Sequence, residues 1–348
     1  MNGKVMTVLG AIDPEQVGIA LPHEHLVVDL TAWWQEPAEA SKKAFADAKV
    51  GLANLGAIRR DPMLCRDNCH QLNTRLAAEE LWQFKLAGGK TVVDLTNHGL
   101  GRDPLALKAI AIQTGVQIVM GSGYYIARAH PPDMDQRSID VIADDITRDL
   151  TEGVGDTGIR AGIIGEIGTS GRIRPNEDKT LRAAARAQRR TGAAINVHLL
   201  PWVKQGLNIL DILEAEGADL SRVALSHLSP TADDLEYHLA IARRGAYVEY
   251  DFFGMELYFD SVGAYTGSDW EAVTRVKRLI DYGYLEQLLL SQDIGMKVQL
   301  TAFGGWGFAH LLNHVVPMLK RVGVTQTQLD TLLSDNPRRL LAWTKATG

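Results

Sequence analysis

The sequence predicts a single (β/α)8 barrel, an α/β fold in which eight parallel strands close into a sheet surrounded by helices. Short apolar runs alternate with amphipathic helical stretches along the 348 residues, which favours parallel pairing. The polar residues that stand out all follow apolar runs. A barrel collects functional side chains at the carboxyl ends of many strands, whereas an open doubly wound sheet collects them at one switch point. This second observation favours the barrel over the open sheet.

Eight apolar runs are the candidate strands. They are Ile19–Leu26, Thr91–Leu95, Val116–Met120, Ala161–Ile167, Ala194–Val197, Val223–Leu225, Ala246–Tyr250 and Gln287–Leu290. The clearest helical patterns between them are Leu76–Leu86, Leu105–Thr114, Lys179–Arg190 and Trp270–Asp281. Gly88, Gly115 and Gly192 follow three of these patterns, at positions where helices commonly end with a left-handed residue. Barrels of this length commonly form one domain, and residues 1–348 are expected to do so.

Residues 30–72 interrupt this alternation between the first strand and its helix. The segment is long and irregular, and it contains Trp33, Trp34 and several prolines and acids. Loops of this length in a compact domain are usually functional lids or packed excursions. We therefore expect residues 30–72 to cover the mouth of the barrel.

Composition limits the classes of partner. A net charge of −6 without a long basic run argues against nucleic acid and anionic membranes. Cys65 and Cys69 are expected to be free thiols, because they lack the other ligands of a zinc site. No signal-peptide-like stretch begins the chain, and no apolar run approaches a membrane span. We expect a cytoplasmic protein that acts as a homodimer on a small-molecule substrate.

Imidazole and carboxylate groups follow five of the predicted strands. His23 and His25 are two residues apart on the first strand, so both can point to the same face. The fourth, fifth, sixth and eighth strands end at Glu166, His198, His227 and Asp293. Six such groups directed at one rim would be costly to bury unless something satisfied them. Divalent metal ions do so, and nitrogen and carboxylate ligands without thiolate suit zinc, manganese, iron or cobalt.

Five other histidines, His98, His130, His238, His310 and His314, are weaker candidates. His98 and His130 lie near strand ends, where a contact with substrate is an alternative to a structural role. His310 and His314 are four residues apart in a helical stretch, and this spacing favours helix packing or the surface over metal binding.

Ordered motifs along nearly the whole chain resemble the phosphotriesterase family of the amidohydrolase superfamily. The matching segments are Thr7–Gly10, His23–Leu26, Gly99–Asp103, Arg160–Gly168, Ser226–Leu228, Tyr250–Gly254, Asp293–Ile294, Gly304–Gly305 and Asp335–Pro337. The chain is most similar to the branch of phosphotriesterase-related and phosphotriesterase homology proteins. The resemblance implies a hydrolase with two divalent metal ions, zinc before manganese, cobalt or iron, which activate a hydroxide between them.

The resemblance also implies roles for the ligands. His23, His25 and Asp293 would hold the more buried ion, and His198 and His227 the more exposed one.

Many relatives bridge the two ions with a carboxylated lysine, but this chain has no lysine between residues 158 and 170. Glu166 therefore takes the bridging role, as in the homology-protein branch. An ungapped match places the lysine of relatives opposite Gly165, and a shift of one residue turns a strand side chain to the other face. Glu166 thus requires a local bulge or twist, which Gly165 and Gly168 permit.

Three residues are expected to act on the substrate. Asp293 would take the proton of the attacking hydroxide and pass it to the leaving group; the alternative is a ligand without a proton role. Tyr125 occupies the position of a substrate-facing tyrosine in lactonases of the family. Phe252 stands where those lactonases carry an arginine, which argues against an acyl-homoserine lactone.

Three functions remain open at this point. The first is cleavage of a carboxylic substrate, whether lactone, amide or ester, whose carbonyl oxygen would become an oxyanion. The second is cleavage of a phosphotriester by the same hydroxide. The third, of another class, is a metal-containing protein that binds a small molecule without turnover. The full ligand set together with Asp293 favours an enzyme, since binding alone would not require them.

Overall fold

The computed structural model describes residues 1–348 and confirms the barrel. Eight strands form one sheet in chain order, and all neighbouring strands within it are parallel. They are β1 Ala20–Glu24, β2 Thr91–Asp94, β3 Gln117–Ser122, β4 Ile163–Gly168, β5 Ile195–His198, β6 Val223–Leu225, β7 Tyr247–Tyr250 and β8 Leu288–Leu290. The sheet closes where β8 meets β1: the His23 N–H donates to Ser291 Oγ at 3.0 Å, and the Asp293 N–H donates to the His23 carbonyl at 3.2 Å.

A helix follows each strand. These are α1 Thr74–Leu86, α2 Pro104–Thr114, α3 Ile139–Thr151, α4 Pro175–Thr191, α5 Gly206–Ala215, α6 Leu235–Arg243, α7 Asp269–Asp281 and α8 Val316–Arg321, the last preceded by a π-helical turn at Leu311–Val315. Short helices also occur at Gln326–Asp330 and Asn336–Leu341. Gly115 and Gly192 end α2 and α4 with φ of 66° and 77°, which confirms these two predicted helix ends. None of the helices combines the length and apolarity needed to cross a bilayer.

The hydrophobic core lies in two layers that follow the alternation of side chains along each strand. One layer packs the outer faces of the strands, such as Val92 and Ile164, against helix residues such as Leu181. The other fills the lower barrel interior, with Ala20 and Ile163, each the first residue of its strand, among its members. Since the interior apolar layer stops below the carboxyl ends of the strands, the upper interior is left to polar side chains.

Residues 30–72 leave the barrel and return to it at one place. Val28–Asp29 pairs with His70–Gln71 as a short antiparallel ladder, and short helices at Ala40–Ala46 and Leu55–Arg60 lie between. Cys65 and Cys69 in this segment are buried free thiols. They belong to a separate apolar cluster that joins the segment to loops at the carboxyl ends of the strands.

Candidate metal centre and its cavity

The six predicted metal-binding side chains meet at the carboxyl end of the barrel. His25 Nε2 and His23 Nε2 lie 3.1 Å and 3.6 Å from Asp293 Oδ1, and these three side chains form the first donor group. His198 Nδ1 and His227 Nε2 lie 2.8 Å apart and form the second donor group. The six residues lie in or just after five different strands, so only closure of the barrel brings their side chains together.

Glu166 lies between the two donor groups. Its Oε1 is 3.4 Å from His25 Nε2, in the first group. Its Oε2 is 3.1 Å from His198 Nδ1 and 3.5 Å from His227 Nε2, in the second. One carboxylate oxygen thus faces each group, which is the geometry that a bridging ligand requires.

The donor spacing fits divalent cations. Ligands at about 2.0–2.1 Å from a tetrahedral zinc ion are separated by about 3.3 Å, and donor distances in the first group are 3.1 and 3.6 Å. His23 Nε2 is buried and has no hydrogen-bond partner, although buried polar atoms are nearly always paired. Three combinations of three donors are each compact enough to hold one ion: His23–His25–Asp293, His23–Glu166–His227 and, behind the His23 ring, His23–Glu249–Asp251.

A bulge directs Glu166 into the barrel. Ile164 pairs with Ile195 and Ile167 with Val197, so β4 contains one residue more than β5 between these pairs. Gly165, in the bulge, has a φ of 129°, a conformation that residues with a Cβ rarely adopt. The side-chain amide of Asn97 donates to the Glu166 carbonyl. The local irregularity that Glu166 was expected to require is therefore present.

Two of the six residues have unusual backbone conformations. His227 and Asp293 are non-glycine residues with φ of 60° and 50°, and such strain persists only where the surroundings hold it. Both oxygens of Asp251 accept the His227 N–H at 3.0 Å. Glu24, between the two histidines of β1, accepts the Ile294 N–H at 2.9 Å and so fixes the turn that carries Asp293.

The charges of the cluster favour cations. Burial raises the pKa of Glu166, yet the facing histidines, His198 first, lower it to well below its usual value. Burial likewise raises the pKa of Asp293, and His25 and other histidines lower it overall. Burial lowers the pKa of His23, but Glu249 and three further carboxylates outweigh it and raise this pKa to about 10. The carboxylates therefore create a strongly negative potential at the donor atoms.

Sequence reasoning gave no role to a buried polar layer below the donors. Glu249 Oε2 accepts from Ser226 Oγ at 2.8 Å and from Asn196 Nδ2 at 2.7 Å, and it lies 3.4 Å from His23 Nδ1. Thr96 Oγ1 lies 2.9 Å from His25 Nδ1 in the same way. A signal for Glu249 existed, because it is the one charged residue in the apolar run Ala246–Tyr250.

A cavity of about 530 Å³ opens above the donors, within the usual size of small-molecule sites. Residues 30–72 line much of it, as do the loops after β5 and β7, and this agrees with the expected cover over the barrel mouth. The loop after β5 contributes Trp202 to the wall. Most of the wall's surface is apolar, and the side chains that contribute to it include Trp33, Met63, Phe252, Phe259 and Met296.

The two predicted substrate contacts both line this cavity. Tyr125 OH lies 3.3 Å from His198 Nδ1 and accepts a hydrogen bond from Trp33 Nε1 at 2.9 Å. Burial raises the pKa of Tyr125 well above its usual value, so its hydroxyl stays protonated near neutral pH. Phe252 stacks on the His227 ring with centroids 5.0 Å apart.

The weaker histidine candidates lie outside the cavity wall. His130 lies 2.7 Å from the Tyr125 carbonyl through Nε2, so it supports the substrate-facing loop from behind. His98 is exposed and its ring is close to that of Tyr124. His310 pairs with Asp269 at 2.5 Å and its ring is 5.1 Å from that of His314, which confirms the packing interpretation.

A (β/α)8 barrel with such a donor cluster at the floor of a cavity defines a class of protein, the barrel metalloenzymes. The Phosphotriesterase family matches residues 3–341, and the chain belongs to this family. A relative named N-acetyltaurine hydrolase from Tetraodon nigroviridis is 36% identical over 346 residues, with 99% of each chain covered. The protein is therefore an enzyme, a metal-dependent hydrolase, as its sequence predicted.

Two solved structures are also similar. A resiniferatoxin-binding protein from Rhodobacter sphaeroides is 41% identical, with a TM-score of 0.96, 97% of this chain and 95% of that chain covered. The phosphotriesterase homology protein from Escherichia coli, complexed with phosphate in its active site, is 30% identical, with a TM-score of 0.79, 95% of this chain and 100% of that chain covered. These similarities confirm the predicted fold and family.

Proposed function

We propose that the protein is a binuclear metal hydrolase that cleaves a carboxylic substrate, with an amide as the first choice before lactones and esters. The observation that carries this proposal is the convergence of two donor groups with Glu166 between them at the floor of the cavity. The similarity to N-acetyltaurine hydrolases over nearly the whole chain supports an amide. Zinc is the preferred ion, and manganese, cobalt and iron suit the same donors.

The donors would divide between two ions as the family resemblance implies. His23, His25 and Asp293 would hold one ion, His198 and His227 the other, and Glu166 would touch both. Two bound divalent cations would supply a hydroxide at neutral pH and an electrophile for the substrate's carbonyl oxygen.

In this proposal Asp293 moves the proton. Its side chain is 17% exposed, whereas those of the neighbouring donors His23 and Glu166 are 0% and 2% exposed. Its Oδ1 faces the two histidines of β1, and its Oδ2 is 3.9 Å from His227 Nδ1. Since Asp293 also lines the cavity, it can accept the proton of the attacking water and deliver it to a leaving amine or alkoxide.

Tyr125 is placed to orient the carbonyl group. Its oxygen already accepts the Trp33 N–H, so its own O–H is directed elsewhere. The nearest acceptor is His198 Nδ1 at 3.3 Å, a ligand in the proposed centre. With that nitrogen engaged by a metal ion, the Tyr125 O–H would be free to donate to the substrate's acyl oxygen or leaving group.

Arg128 gives the cavity wall a cation without an ionic partner. Lys42, the other basic residue of the wall, binds Glu39 at 3.0 Å, whereas Arg128 makes neither an ion pair nor a side-chain hydrogen bond. Its turn is held in place, since the Ala127 N–H donates to the buried Glu177 carboxylate at 2.9 Å. We infer that Arg128 binds an anionic group on the amine side of the substrate.

Arg128→Met is expected to raise KM for an anionic N-acyl amide about 10–100-fold while kcat stays nearly constant, because a hydrogen bond to a charged group contributes about 1.5–3 kcal/mol. The measurement is steady-state kinetics on N-acetyltaurine, its carboxylate analogue N-acetyl-β-alanine and a neutral N-acetyl amide. Arg172→Met is the matched control, because Arg172 is exposed and does not line the cavity. An equal loss on the neutral amide would contradict this role.

Phosphotriester cleavage is the second candidate, and the phosphate in the active site of the Escherichia coli relative supports it. The deciding experiment loads the protein with zinc, manganese or cobalt and measures hydrolysis of matched N-acyl amides, lactones, carboxylic esters and phosphotriesters. We expect the highest kcat/KM on an amide. A higher kcat/KM on phosphotriesters would reverse the order, and stoichiometric binding without turnover of any panel member would favour a binding protein.

A further inference from the structure

Asp251 is the one carboxylate that contacts a histidine of each donor group from below. Its Oδ2 lies 3.3 Å from His23 Nδ1, in the first group, and 3.1 Å from His227 Nδ1, in the second. The carboxylate is completely buried. These ring nitrogens are opposite the Nε2 atoms that face Glu166 at 3.5 Å in both histidines.

We propose that Asp251 is a positioning residue that couples the two metal sites, so that binding of either ion prepares the histidine of the other. The inference rests on the proposed binuclear centre. A carboxylate behind a metal-binding imidazole fixes its orientation and increases its basicity. Here one carboxylate does so for two imidazoles, one in each donor group, so a change in its charge changes both sites together.

The two contacts act mainly through charge. Neither meets the geometry of a hydrogen bond, but the Coulomb interaction between a buried carboxylate and a ring nitrogen at about 3 Å does not depend on that geometry. The hydrogen bonds of Asp251 go instead to the His227 N–H, at 3.0 Å from each oxygen. These bonds fix the carboxylate and hold His227 in its left-handed conformation.

Glu249 provides the contrast that makes the proposal testable. It also faces His23 Nδ1, at 3.4 Å, and it is also fully buried. Its other partners are Ser226 and Asn196, and it has no contact with His227 or His198. Loss of its charge should therefore affect the first donor group alone.

The experiment compares Asp251→Asn with Glu249→Gln. Both substitutions remove one buried charge, and the amide oxygen of the introduced asparagine can still accept the backbone N–H of His227. We expect Asp251→Asn to lower the affinity for both ions, by about 10–100-fold each. Titration of the metal-free protein with zinc and the metal content after dialysis measure these affinities. Glu249→Gln should lower the affinity for one ion by a similar factor and leave the affinity for the second unchanged.

Several outcomes would overturn the coupling. Loss of a single ion in Asp251→Asn would show that the two sites are independent of this residue. Loss of both ions in Glu249→Gln would show that any coupling runs through Glu166 instead. Thermal unfolding of the metal-free variants separates these outcomes from misfolding. Ser226→Ala is a second test of the first group, because it removes the 3.0 Å contact to His23 Nδ1 and the hydrogen bonds to Glu249 and Asn196 but no side-chain contact of His227.

A measurement on the metal-free protein tests the role of Asp251 separately from the proposed function, because it does not require that two ions bind. In the metal-free protein at one fixed pH, Asp251→Asn should shift the ring ¹⁵N signals of both His23 and His227, because Asp251 Oδ2 lies within 3.3 Å of Nδ1 in each ring. Glu249→Gln should shift those of His23 alone. Binding of fewer than two ions by the wild-type protein would contradict the proposed binuclear function. Unchanged ¹⁵N signals of His227 in Asp251→Asn would contradict the role of Asp251, whatever the number of ions bound.

Discussion

In the proposed binuclear centre, Glu166→Ala is expected to lose at least one of the two ions and to lower kcat/KM about 10³-fold. The substitution removes both oxygens that face the two donor groups. It also leaves four histidines close together without the negative charge of the carboxylate that lies between them. Lewis-acid assistance contributes several kcal/mol, and each 1.4 kcal/mol corresponds to a factor of about ten in rate. Metal analysis of protein purified without chelator, followed by hydrolase assays with saturating zinc, measures both effects.

A matched control separates this effect from general destabilisation. Glu80 is also a buried glutamate; it lies outside the cavity wall and accepts the N–H groups of Thr301 and Ala302. Glu80→Ala should lower the melting temperature but keep two ions and the full specific activity of the folded fraction. If Glu166→Ala instead keeps both ions, Glu166 is not the bridging ligand, and the bulge in β4 serves another purpose.

Asp293→Asn is expected to slow cleavage of amides and alkyl lactones by about 10²–10⁴-fold, the usual contribution of general acid–base catalysis. Asparagine keeps an oxygen at the position that faces His25 but is a far poorer base. The cleavage of activated aryl esters should be slowed less, because their leaving groups depart without protonation. The measurement is kcat for the two substrate types in the same preparation, with metal content determined alongside.

The ratio of the two losses decides the role of Asp293. A larger loss on the amide supports proton transfer to the leaving group. An equal loss on both substrate types, with both ions in place, would restrict Asp293 to a ligand without a proton role. Loss of an ion would also slow both substrates, so reconstitution to two ions must precede the comparison.

The barrel and the cluster at its mouth followed from local patterns. A parallel barrel requires apolar strands and amphipathic helices in alternation, and each of these is a short-range feature of the chain. The candidate ligands were visible for a related reason. His23, His198 and Asp293 each come at or just after the end of an apolar run, and parallel strands bring their carboxyl ends to the same rim.

The bulge at Glu166 was only half determined by sequence. The lack of a nearby lysine and the flanking glycines indicated that Glu166 had to turn inward, but glycine permits many conformations. The register between β4 and β5 selects one of them. The neighbouring Asn97, which holds the Glu166 carbonyl, lies on the loop after β2 and has no sequence signal of its own.

The sequence by itself determined the fold and the donor groups, because both depend on residue types at fixed positions along strands. Only the tertiary structure decided what surrounds them. Glu249 and Asp251 lie below His23, more than two hundred residues away in the chain, and Trp33 reaches Tyr125 from the segment over the mouth. Such contacts depend on closure of the barrel and on the path of long loops. Distances between side chains on different strands are set by closure and loop packing, and no local pattern encodes them.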